Sequence, residues 1–197
     1  MSPILNPISL FFASIFTSNI LLSNFLGMCS FIAISKDMKS SNGLGLAVTF
    51  VLVITGMANW AVLHGILIPL GLEYLRFIVF IIVIAAVVQI LEMVIDRVSP
   101  TLYMSLGIFL PLITVNCAIL GVALFIEIRN YTFLQSVIYS LGSGLGWWLA
   151  IMALSAIRKK VDKAPVPAGL QGPGITLITI GFMAMAFIGF SGMLQVQ

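Results

Sequence analysis

Two cysteines, Cys29 and Cys117, are the residues of this chain best suited to unusual chemistry, and each lies in an apolar run close behind residues that break helices. Cys29 sits in LGMCSFIAIS after Asn19, Asn24 and Gly27, and Cys117 sits in ITVNCAILG after Pro111 and Asn116. Free cysteine is ordinarily a small buried hydrophobe, so packing is the plain reading. A disulfide inside a cytoplasmic membrane has neither an oxidant nor a need. Metal ligation is the sharper alternative, because thiolates select zinc, copper(I) or iron–sulfur centres and the metal balances a thiolate charge that burial would otherwise leave unpaired. Zinc and [2Fe–2S] centres both want four ligands. The chain offers two thiolates and one histidine, His64, which has no cysteine or histidine at ligand spacing and reads as a polar residue at the outer membrane interface. A four-thiolate site would need two more cysteines from a second chain built on the same plan.

Glu92, one turn after Gln89, is the deepest carboxylate, and an ionisable residue inside a span points to an ion pathway. Its proximity to Asp96 and Arg97 allows the simpler reading of an interfacial group paired with Arg97. Trp147 and Trp148 read as packing or interface residues, and Glu127 and Arg129 as members of an outer loop. No catalytic residue set of a soluble enzyme is present: there is no phosphate loop, no GxGxxG, no Ser-His-Asp arrangement and no covalent flavin acceptor motif. NADH and flavins would have to bind on other chains.

The elements that position these residues follow from composition. Hydrophobic residues make up 61% of the chain, charged residues 8%, and the mean hydropathy is +1.21, whereas a soluble domain carries about 25% charged residues. Lipid is the solvent for most of this surface. Apolar stretches near residues 4–35, 44–69, 75–95, 102–126, 133–157 and 174–194 are each long enough for the roughly 20 residues that cross a hydrocarbon core. They lack the alternation of a membrane barrel, so the expected fold is all-α, with six transmembrane helices in a single membrane domain over 1–197. The first stretch has no Lys or Arg before it and outruns the apolar core of a signal peptide, so it is expected to remain in the mature chain.

Charge placement gives the orientation. Of nine Lys and Arg, Lys36, Lys39, Arg97, Arg158, Lys159, Lys160 and Lys163 fall in the first, third and fifth gaps, and only Arg76 and Arg129 fall elsewhere. The positive-inside rule then places both termini on the outer side. The net charge of +3 is thus a topological signal, and nucleic-acid binding has no support.

The chain also divides near residues 98–101 into halves that share an order of elements. A polar-interrupted segment is followed by a Gly-entered helix (GLGL at 43–46, GLGW at 144–147) and then by a compact apolar helix. Three spans per half make the repeat inverted, roughly 1–98 against 99–197, and inverted repeats place functional groups near the midplane on broken helices. About 32 residues of unbroken helix in the first segment would reach roughly 48 Å across a core of about 30 Å. Such a segment must tilt strongly or break, and Asn19, Asn24, Gly27 and Cys29 mark the place for a break, with Asn side chains able to satisfy the freed backbone. Pro111 and Asn116 mark the corresponding break in segment four. Gly142, Gly144 and Gly146, and the small residues of GFMAMAFIGFSG in segment six, are expected to bring helices close together. Residues 164–169 read as a stiff cytoplasmic turn.

The stretches SNFLGMCSFIAISK, FIIVIAAVVQILEMVIDRVSP, LYMSLGIFLPLITVNCAILGVALF, GSGLGWWLAI and GITLITIGFMAMAFIGFSGM span nearly the whole chain. Together they resemble the NqrE/RnfA family, which comprises the E subunit of the sodium-translocating NADH:quinone reductase (Nqr) and the A subunit of the related Rnf complex, LGIFLPLI followed by NCA being the most specific match. GMCS, VNC and GSGLGWWLAI look like the Nqr branch, whereas the short connection ILIPLGLEYL looks more like Rnf, whose complex couples ferredoxin:NAD+ electron transport to ion translocation. The resemblance implies a multi-pass component of the bacterial inner membrane, paired with a homologous D subunit of opposite orientation, or with the Rnf E subunit, and assembled with the A, B, C and F subunits. It implies that Cys29 and Cys117 are two of the four ligands of an intramembrane [2Fe–2S] cluster shared by the pair. The chain would not be catalytic alone. Electrons from NADH would pass through the cluster to covalent FMN on the outer side and on to ubiquinone, with Na+ export, and a core of about 30 Å is too wide for a single efficient hop without such a stepping stone. Two rival classes remain: an ion carrier whose cysteines only pack, and an assembly scaffold with no redox role.

Overall fold

With no water in the hydrocarbon core, each segment must satisfy its own backbone N–H and C=O groups, which forces helices. The computed structural model describes residues 7–98, 110–165 and 167–189, and those residues contain helices and turns with no strand among them. Helix α1 covers Pro7–Ile15. A non-helical stretch then leads to α2 (Met28–Ile34). Helix α3 (Met38–Val62) starts at Asp37, whose side chain accepts the Ser40 N–H. It continues through a π-helical turn (Leu63–Leu67) and a last α turn (Ile68–Leu70) to Gly71, whose φ of 66° ends it. Helix α4 spans Arg76–Val98. In the second half α5 (Leu110–Thr114) and α6 (Cys117–Ile128) are separated by Val115 and Asn116. Helix α7 (Phe133–Val161) opens with a Thr132/Gln135 capping box, and α8 covers Pro173–Ile188.

Helices α3 and α7 form the centre, and small residues set their separation. A methyl group added at Gly45 would lie 2.0 Å from Trp148, one at Gly144 2.8 Å from the Thr49 Cα, and one at Gly56 2.3 Å from the Ser140 hydroxyl. The pairing 45/148, 49/144, 56/140 shows that the two helices run antiparallel. The other side of α7 receives α1, where added methyls at Gly142 and Gly146 would strike Ser14 and the Ile15 carbonyl. The three glycines of GSGLG thus serve close approach, as expected from their spacing. Trp147 is fully buried, whereas Trp148 donates its indole N–H to Asn42 at 3.1 Å.

Polar contacts fasten both ends of the bundle. At one end Arg76 forms an ion pair with Glu127, and the Trp60 indole donates to the Tyr131 carbonyl at 3.0 Å. At the other, Arg158 is 7% exposed and donates from Nη1 to the Ile32 carbonyl at 2.9 Å and to Ser35 Oγ at 2.7 Å. Arg158 is therefore more than a loop charge: it lies within α7 and closes the C-terminal end of α2, where a cation is favoured by the helix dipole.

Among the described residues, four helical stretches are long and apolar enough to cross a membrane: Met38–Leu70, Arg76–Val94, Pro111–Ile128 and Phe133–Val161. The 16-residue α8 is apolar but shorter, and the first segment is divided between α1 and α2. The expected breaks in segments one and four are both present. The small residues of segment six divide: Ala184 packs into the core on the stripe of Thr176 and Ile180, as expected, but Gly181 has no neighbour for an added methyl within 4 Å. A helix that touches the bundle along one stripe leaves residues a quarter-turn away without contacts. Residues 190–192 of that motif and 102–109 of segment four lie outside the described residues.

A candidate metal centre at the paired cysteines

Asn19 organises the chain between α1 and α2. It is 1% exposed, its Nδ2 donates to the Ile15 carbonyl at 3.0 Å and to Gly146 at 2.9 Å, and its Oδ1 accepts the N–H groups of Leu21 (3.1 Å) and Leu22 (3.4 Å). One amide thus satisfies backbone groups that the end of α1 releases. Asn24 is exposed. The chain then turns through two left-handed residues, Phe25 (φ 56°) and Gly27 (φ 85°). Glycine is required at the second, because a Cβ there would lie 2.8 Å from Trp147 Nε1 and 3.1 Å from Asn116 Oδ1. Cys29 follows as the second residue of α2.

The second break is built by Asn116. Its backbone is extended and its Oδ1 accepts the Ala118 N–H at 3.0 Å, so it is a side-chain N-cap, and Cys117 is the first residue of α6. The positive end of the α6 dipole lies at this cysteine, which favours negative charge there.

These two breaks meet. The Gly27 N–H donates to Cys117 Sγ at 2.9 Å across 90 residues of sequence. Asn116 Nδ2 donates to Ser30 Oγ at 3.2 Å, and Ser30 Oγ donates to the Gly27 carbonyl at 3.1 Å. Both cysteines are exposed free thiols, while Ser30 and Asn116 are buried at 1% and 2% exposure. From this junction α2 runs toward the Arg158 end of α7 and α6 toward the Tyr131 end, so the two helices leave it in opposite directions.

As a donor set, two exposed thiols presented from helix starts fit half of a four-thiolate site. Among the described residues no group of three or more His, Cys, Asp and Glu side chains comes together, so further ligands would have to come from outside this set. His64 is remote from any such role: it is exposed, stacked on Trp60 with ring centroids 4.1 Å apart, with Nδ1 3.1 Å from the Trp60 carbonyl. Glu92 is half-buried and continues the α4 stripe of Phe80, Ile84 and Val88, four residues beyond Val88. Arg97 is exposed, and the Asp96 side chain lies outside what is described. The anticipated Glu92–Arg97 pair does not form among the described residues, where the ion pair is Arg76–Glu127.

Sequence reasoning found both cysteines, Gly27 and Asn116, but missed Ser30, Trp147 and Arg158 as parts of the site. For Ser30 a signal was present, since a serine three residues after a helix-capping glycine can reach back to its carbonyl. For Trp147 and Arg158 there was none, because both contacts are with the other half of the chain.

The chain matches the family described as "Rnf-Nqr subunit, membrane protein" over residues 7–194. It is 54% identical over 191 residues to the E subunit of the Na(+)-translocating NADH-quinone reductase of Yersinia enterocolitica, with 94% of this chain and 96% of that protein covered. The same identity and coverage hold for the E subunit of the Pasteurella multocida reductase. The corresponding E subunit of Chlamydia trachomatis is 51% identical over 201 residues, covering 96% of this chain and 82% of the relative.

Proposed function

The chain belongs to the Rnf-Nqr family of membrane subunits, and on that premise we propose that it is the E-type subunit of a Na+-translocating NADH:quinone reductase. It is a component of a multisubunit oxidoreductase and acts only within that assembly. In it, Cys29 and Cys117 supply two ligands of a [2Fe–2S] cluster whose other two come from a homologous D subunit of opposite orientation. Such a centre supplies one-electron storage between donors on one membrane face and acceptors on the other. This chain's part is to hold two thiolates on the ends of interrupted helices, exclude water behind them with Trp147 and Phe31, and fix the geometry through Asn19, Asn116 and Arg158. The two halves act as an inverted repeat of six spans with both termini on the outer side, a reading supported by antiparallel α3 and α7 and by the gathering of Lys36, Lys39, Arg158, Lys159 and Lys160 around one end of the bundle. Glu92 is this chain's candidate for the ion pathway.

The observation that carries the proposal is the junction itself. Two cysteines 88 positions apart in sequence lie on breaks that touch through the Gly27 N–H and Cys117 Sγ at 2.9 Å, and both are exposed. Cys29→Ala and Cys117→Ala variants of the purified complex are expected to lose the same iron and sulfide complement and the same paramagnetic signal on reduction. Normal iron, normal sulfide and unimpaired quinone reduction in both variants would end the proposal and leave the cysteines as packing residues.

A further inference from the structure

The two cysteines are not equivalent. Cys117 Sγ accepts the Gly27 N–H at 2.9 Å, and among the described residues Cys29 Sγ accepts no comparable bond. The donor is held from several directions. Gly27 sits at φ 85° over the buried Trp147 ring edge, its carbonyl accepts Ser30 Oγ at 3.1 Å, and Ser30 Oγ in turn accepts Asn116 Nδ2 at 3.2 Å. Ser30 and Asn116 are almost fully buried, so water does not compete for these bonds. Asn116 also caps α6 one residue before Cys117, which ties the donor and the acceptor of the N–H···S contact to a single side chain.

We propose that Ser30 and Asn116 are positioning residues that lock the Gly27 amide onto Cys117 Sγ and thereby set the reduction potential of the centre this sulfur ligates. The inference rests on the ligand reading above. Reduction adds one electron, and with it negative charge delocalised onto the ligand sulfurs. An N–H dipole fixed on one of those sulfurs stabilises the reduced form more than the oxidised form and raises the potential, one of the recognised controls on iron–sulfur centres. The chain needs no titrating group for this, because the donor is a backbone amide that remains protonated. The asymmetry also makes the two halves of the junction electrostatically distinct, with the better-stabilised sulfur on the second half.

The test is a redox titration of the centre in the intact complex, carrying Ser30→Ala, which removes both side-chain bonds at Ser30 but leaves the Asn116 cap. At a fixed applied potential near the wild-type midpoint, the reduced-to-oxidised ratio is expected to fall up to about tenfold, equivalent to 59 mV for a one-electron couple. Ser30→Thr, which keeps the hydroxyl, is expected to return most of the shift. If Ser30→Ala does not assemble, Asn116→Ser keeps an N-cap, loses the donor to Ser30, and is expected to move the midpoint in the same direction. Iron and sulfide are measured on every sample. Full iron with an unchanged midpoint in Ser30→Ala and Asn116→Ser overturns this inference while leaving the ligand reading intact. Iron that survives unaltered in Cys29→Ala and Cys117→Ala overturns the ligand reading instead.

Discussion

Replacing Arg158 by alanine is expected to unfasten the helix that carries Cys29. Helix α2 has seven residues and could not persist alone, since isolated helices shorter than about 12–15 residues are marginal. Its C-terminal end is closed by one guanidinium nitrogen, Arg158 Nη1, which donates both to the Ile32 carbonyl and to Ser35 Oγ. Hydrogen bonds from a charged donor are worth about 1.5–3 kcal/mol each, and a cation at a helix C-terminus adds roughly 0.3–1 kcal/mol. Because the two bonds share one nitrogen they do not add in full, and the net loss works out at about 2–4 kcal/mol. At roughly 2–4 °C per kcal/mol for a chain of this size, the midpoint for thermal unfolding of this subunit falls by about 4–16 °C. Arg158→Lys retains one donor direction and is expected to fall between. Lys159→Ala is the control: it removes the same charge from an exposed position next door, and its cost is expected to stay within about 0.5 kcal/mol. The reasoning is refuted if Arg158→Ala and Lys159→Ala behave alike, because the effect would then be one of net charge and not of the contact.

The α3–α7 seam gives a paired prediction. Gly144→Ala drives a methyl to 2.8 Å from the Thr49 backbone and is expected to destabilise by about 1–3 kcal/mol. Gly43→Ala, in the same central pair but with nothing within 4 Å, is expected to be neutral or to stabilise by up to about 1 kcal/mol through helix propensity, as thermal unfolding of the two variants would show. At low pH, Asp37 supplies a separate signature. The Ser40 backbone N–H, then its hydroxyl, hold the Asp37 carboxyl below its ordinary value of 3.8. Its capping contribution is therefore complete above pH 3.8 and disappears as pH falls through the lowered value, so Asp37→Asn is expected to flatten the acid limb of the stability profile below pH 4 without moving the neutral plateau. An acid limb of unchanged slope in that variant would remove Asp37 as its source.

Much of this architecture was legible in the sequence because membrane solvent imposes few solutions. Hydropathy located the four long apolar helices found among the described residues, and excess length pointed to a break in the first segment at residues that include Asn19, whose amide makes three bonds to the broken backbone there and a fourth to Gly146 of α7. Asn116 pointed correctly to the second, whereas Pro111 lies within α5, ahead of the break. What periodicity and composition could not supply were contacts between halves. Arg158 looks like its lysine neighbours in sequence, yet it alone of that run is buried, because α2 passes over it. Glu127 looked like a loop carboxylate, but α4 brings Arg76 to it across 51 residues. Glycine in segment six misled for the opposite reason: small residues permit close packing without requiring it, and Gly181 has no neighbour within 4 Å of an added Cβ.

Exposure at the breaks carries one further step. Ser23, Asn24, Phe25, Cys29, Val115 and Cys117 are all exposed on this chain, and they lie at the places where regular helix stops. Irregular backbone at membrane depth is stable only when protein or a water-filled cavity covers it, because lipid leaves each unmatched N–H or C=O several kcal/mol worse off. A chain surrounded by lipid on that face would be selected to close both breaks or to bury them inward. Here they are closed on the inner side by Asn19, Trp147, Ser30 and Asn116, and left open on the outer side where the two thiols emerge. On the function proposed above, the open side is the surface the homologous subunit covers, and a subunit with the same pair of interrupted helices would bring its own cysteines to that face.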